Sequence, residues 1–147
     1  MTEMNDPYDL ERFIQAQALD FAIASAEINS GRKKSHWMWY IFPQLIGLGF
    51  SATSQRYAIR SAAEAKAYLN HPVLGPRLMQ CMEALLTIDG RSAHEILGSP
   101  DDMKLRSCAT LFASITHKGS VFERLLEKYF HGEQDPKTLV FLKMTRN

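Results

Sequence analysis

Residues 92–115 read SAHEILGSPDDMKLRSCATLFASI, and this stretch decides the fold class. Ser92 with Glu95 three residues on is a capping box, in which hydroxyl and carboxylate trade hydrogen bonds with the free amides of a helix start. Gly98 ends that short helix. Ser99-Pro100-Asp101-Asp102 opens another, with a capping hydroxyl, a proline in the first turn and two acids at the positive end of the helix dipole. Leu105, Cys108, Leu111, Phe112 and Ile115 then recur at helical spacing as an apolar stripe.

The same signals recur on either side. Ser61 with Glu64 and Ser120 with Glu123 are two more boxes. Asp9 is the expected cap of a first helix reaching about Ser30, with Phe13, Ala16, Ile23 and Ile28 inward and Gly31 at its end. Ser35–Phe42 reads as a short helix stopped by Pro43, and Gly47 and Gly49 as a loop. A helix from Pro72 or Pro76 to Ile88 carries Leu78, Cys81, Met82 and Leu85 inward, and Asp135-Pro136 opens a last one. No run alternates like a strand between hairpin turns. The expectation is an all-α single domain over 1–147, an irregular bundle of about seven helices, with residues 1–8 loosely ordered.

Composition sets the remaining bounds. Of 147 residues, 46% are hydrophobic and 22% charged, an ordinary globular balance. Seventeen basic residues against sixteen acidic ones give a net charge of +1, so no broad footprint for DNA or membrane is expected. The N-terminus lacks a basic and an apolar signal region, and the apolar run Trp37–Phe50 is shorter than the ~20 residues of a membrane span. A cytoplasmic protein is expected. Cys81 and Cys108 read as buried free thiols, and no metal site or cofactor is implied by the spacing of cysteines and histidines.

One segment looks able to carry chemistry. Gly31–Gln44, GRKKSHWMWYIFPQ, holds three cations, a hydroxyl, an imidazole and four aromatic rings. Donors at a helix start make an anion site, and Arg32 can fork onto a phosphate or carboxylate. His36 is the candidate catalytic acid or base if there is a reaction, Trp37 or Trp39 can stack on a ring, and Gln44 can read a ring edge. The packing alternative makes Trp37, Tyr40 and Ile41 core residues and leaves Lys33 and Lys34 solvated.

The strings GRKKSHWMWYIFPQLIGLGFSATSQRYAI (31–59), EAKAYLNHPVLGPRL (64–78) and DDMKLRSCATLF (101–112) resemble a bacterial family of unknown function whose members are often labelled "calpastatin". The resemblance runs from about Phe13 to Leu142. It implies an all-helical fold and brings no activity, cofactor or catalytic residue. Calpain-inhibiting segments are disordered until bound, a class at odds with so much capped helix.

Two functional expectations follow. In the first, Arg32, His36, Trp37, Trp39 and Gln44 line a pocket for a small anionic, nucleotide-like ligand, with or without catalysis. In the second, the Trp37–Phe42 aromatic segment docks a protein partner. Convergence of Arg32 and His36 in a concavity favours the first, and a flat apolar patch the second. Nucleic acid is disfavoured because three adjacent cations make no stripe. Ser54, Gln55, Arg56, Tyr57 and Arg60 are read as a solvated helix start, Asp101 and Asp102 as first-turn acids, and Lys104 as a solvated side chain.

Overall fold

A computed structural model describes residues 6–145, which form nine helices and no β-strand among the described residues. The helices are α1 (Glu11–Asn29), α2 (Met38–Ile41), α3 (Ala52–Arg56), α4 (Ala62–Asn70), α5 (Leu74–Leu86), α6 (Ala93–Leu97), α7 (Asp101–Ala113), α8 (Val121–Phe130) and α9 (Pro136–Thr145). Helix α7 lies at the centre. It packs against α8, α6, α9 and α4, and α5 packs against α1, α8 and α4. The all-α reading holds. The count exceeds the expected seven or so; α3, expected only as a helix start around Ser54, begins at Ser51, its hydroxyl accepting from the Ser54 amide.

The serine signals are real, but only one box closes as written. Ser92 and Glu95 exchange both hydrogen bonds. Ser61 accepts from the Glu64 amide, yet Glu64 turns its carboxylate to the Arg60 amide and to Arg12. Glu123 reaches the amide of Gly119 rather than that of Ser120. At α7, Pro100 rather than Ser99 takes the cap position, and no side chain caps it.

The first helix departs most from expectation. Leu10, not Asp9, takes the cap position, and Asp6 supports it, its two carboxylate oxygens accepting from the amides of Leu10 and Glu11. Residues 6–9 are therefore tied to α1; residues 1–5 lie outside the described residues. Ile23 is exposed, while Arg12 and Gln17 are buried beside Phe13 and Ile28. Arg12 affords burial by satisfying its guanidinium completely, on the carbonyls of Tyr8, Asp9, Arg56 and Ala58 and on Glu64. Gln17 does the same between the Tyr40 carbonyl and the Tyr68 hydroxyl. A stripe of apolar letters cannot announce polar residues buried with partners this distant in sequence.

Two glycines matter to the packing. Gly31 takes φ +79° and ends α1 as expected, its amide bonded to the Ile28 carbonyl. Gly75 lets α5 cross α4 closely: a Cβ there would lie 2.0 Å from the Leu69 carbonyl oxygen. Leu78, Cys81, Met82 and Leu85 are all buried, as their spacing indicates, and both cysteines are free. Burial pushes the Cys81 thiol up to about 12, and also raises Cys108. Among the described residues no helix is long and apolar enough to cross a membrane.

Candidate functional site

The segment 31–44 splits between core and cleft, and Glu27 explains how. This residue, on the last turn of α1, accepts hydrogen bonds from the amides of Lys34 (2.8 Å) and Ser35 (3.0 Å), the Ser35 hydroxyl (2.6 Å) and the Trp37 indole (2.9 Å). Burial works against the charge, but the four hydrogen bonds prevail and hold the carboxyl at about 2. The donors read as an anion site at a helix start thus already bind an anion, the chain's own Glu27. The helix after them is only Met38–Ile41.

Trp37 is drawn into the core, fully buried against Phe42. Lys33 is not solvated: its ammonium lies 4.9 Å from the Trp37 ring centre and 2.9 Å from Asp101. Arg32 and His36 stay exposed, and among the described residues no hydrogen bond or ion pair holds either side chain. With Met38, Ile41 and Phe42 also buried, the aromatic segment offers no flat face.

Trp39 and Gln44 do meet. They are half-buried and line two adjoining cavities of about 330 and 710 Å³, within the usual size of small-molecule sites. The loop from Leu45 to Phe50 walls the smaller cavity, and its last three residues, Leu48 to Phe50, wall both. A parallel bridge between Leu45 and Ile59 fixes its base, with Ile59 donating to the Gln44 carbonyl at 2.8 Å. The loop also lies against α9, where a Cβ on Gly47 would meet the Phe141 ring at 3.2 Å.

The smaller cavity is walled by Leu45, Tyr57 and Ala58, with Ser54 and Arg60 as polar groups. The larger opens toward the first turns of α7 and α9 and is lined by Lys104, Arg106, Asp135 and Lys137. Arg60 and Lys104, read as solvated, therefore face the cleft. Lys104 lies 4.7 Å from the Trp39 ring centre and 3.5 Å from Asp101, which links it to Lys33.

Arg106 escaped sequence reading altogether. Its Nε is buried with no hydrogen-bond partner, and its Nη2 stands 3.8 Å from Asp135, beyond a hydrogen bond. Asp135 is committed elsewhere, accepting from the Ser107 hydroxyl and from the Thr138 hydroxyl and amide. The available signal was an arginine set in a helix buried along most of its length, from Leu105 to Ala113.

Four cations, Arg60, Lys104, Arg106 and Lys137, face this cleft against one carboxylate, Asp135, in a chain of net charge +1. Among the described residues no histidine or cysteine lines it. The arrangement can hold an anion and stack a ring.

Comparison with curated proteins gives no match. Among solved structures, the conserved hypothetical protein Rv1873 from Mycobacterium tuberculosis is similar at 48% identity and a TM-score of 0.92, over 94% of this chain and 99% of that one. A family described as Protein of unknown function (DUF1810) matches residues 7–142. The chain belongs to that family.

Proposed function

We propose that this domain binds a small anionic ligand in the cleft around Trp39, Gln44 and Arg106. The carrying observation is the guanidinium of Arg106, held at the cleft wall with no hydrogen bond among the described residues; the nearest carboxylate oxygen, Asp135 Oδ1, stands 3.8 Å away, and Oδ2 is taken by Ser107 and Thr138. The Nη groups of Arg106, which unlike Nε are not sealed from solvent, can donate to a phosphate or carboxylate oxygen that enters the cleft. The excess of positive charge and the first turns of α7 and α9 favour the same kind of guest.

The expected pocket of Arg32, His36, Trp37, Trp39 and Gln44 is thereby redrawn. Trp39 and Gln44 stay, and Lys104, Arg106 and Lys137 replace the cations of the 31–34 run.

Calorimetric titration with pyrophosphate, ribose 5-phosphate and nucleoside monophosphates tests this. At least one should bind saturably, and Arg106→Gln and the exposed Lys137→Gln should each weaken it. Lys137→Gln should leave the unfolding midpoint in place, so its effect cannot come from misfolding. Absence of saturable binding by all three classes at millimolar concentration would end the proposal.

A further inference from the structure

We infer that the ligand is a nucleoside phosphate, its base stacked between Trp39 and Phe50 and its phosphate on Arg106; this rests on the anion-binding reading above. Phe50 is the observation that takes the inference further. It is 88% exposed, and it lines both cavities together with Trp39. Its backbone is fixed, the carbonyl accepting from the Gln55 side chain at 3.1 Å, so the ring is presented at the cleft mouth on an anchored support. Placed at the rim in the same lining as Trp39, the ring can close over a flat guest that Trp39 stacks from the other side.

The cleft is also polarised along its length. Trp39, Gln44, Ser54 and Phe50 form the section common to both cavities. Lys104, Arg106 and Lys137 lie on the larger cavity alone. Arg60 lies on the smaller cavity, so a guest with its flat ring at Trp39 and Phe50 and its negative charge toward the larger cavity meets three of the four cations. A simple sugar phosphate satisfies only the charged end.

Gln44 adds the feature that separates a base from a plain aromatic ring. Its side-chain amide has no partner among the described residues, so it has a donor and an acceptor free for a ring edge. Aromatic faces grip any base, and the amide then discriminates among them.

The test compares the four common nucleoside 5′-monophosphates, the matching nucleosides and ribose 5-phosphate by calorimetry on the wild-type protein, Phe50→Ala and Gln44→Ala. At least one monophosphate should bind roughly tenfold or more tighter than ribose 5-phosphate, as base stacking supplies. It should also bind roughly tenfold or more tighter than its nucleoside, because the nucleoside lacks the charge that Arg106 takes. Phe50→Ala should erase the first advantage while leaving ribose 5-phosphate affinity unchanged. Gln44→Ala should level the differences among bases. If ribose 5-phosphate binds as tightly as every nucleotide, or Phe50→Ala changes nothing, the base assignment is overturned and the anion site stands. If no phosphate compound binds, both readings fall together.

Discussion

Trp37 and Trp39 are two positions apart and have different roles, and the difference comes from one carboxylate. Glu27 bonds the Trp37 indole and turns that ring inward, leaving Trp39 beside Lys104 in the cleft. Trp37→Ala should therefore cost roughly 3–5 kcal/mol in denaturant unfolding, the usual loss for a large buried aromatic. Arg32→Ala and His36→Ala should leave the midpoint nearly in place, because nothing holds either side chain; a large loss at either would place them in an unseen network. Glu27 carries a pH signature as well. Its folded pKa is depressed from an ordinary 4.5 to about 2, so its stabilisation is present above about 4.5 and lost as pH falls toward 2. Across that range the stability gap between wild type and Glu27→Gln should close. A gap independent of pH would mean that the carboxylate's charge does not matter. These roles are half legible: the sequence shows segment 31–44 to be unusually dense in cations and rings, but which tryptophan turns inward depends on a partner on another helix.

At the scale of elements, local chemistry wrote most of the fold. The serines at positions 61, 92 and 120 each cap a helix because a hydroxyl accepting from the amide three residues on needs only neighbouring sequence. Where the reading failed, a longer-range bond had won. Glu64 left its box for buried Arg12, and the expected Ser35–Phe42 helix shrank because Glu27 holds the amides of Lys34 and Ser35. Helix α3 shows in the sequence only as a helix start around Ser54, because its true cap, Ser51, follows the glycines and lacks an acidic partner three residues on to complete the familiar pattern. The crossing of α4 and α5 allows a sharp test. Gly75→Ala would drive a methyl into the Leu69 carbonyl, so it should destabilise the domain by at least the 1–3 kcal/mol typical of overpacking. Gly90→Ala, with open space around its Cβ, tests φ alone, since both glycines are replaced by the same residue. A smaller loss at Gly75 than at Gly90 would show that the helices are not in close contact.

At the scale of the whole molecule, the cleft was the least legible feature. Its polar wall joins Gln44, Arg60, Arg106 and Lys137, residues brought together only when α7 and α9 pack beside the loop after α2. No short motif spans such distances, whereas the fold class needs only caps and stripes. The account's central claim is that Trp39 faces the ligand and Trp37 does not. The chain has two tryptophans, so a nitrogen–proton correlation spectrum carries two indole signals, assignable with Trp39→Phe. On titration with a nucleoside monophosphate the Trp39 signal should move and saturate, while the Trp37 signal, bonded to Glu27 in the core, should hold still. A shift confined to Trp37, or two signals unmoved at millimolar ligand, would contradict the account.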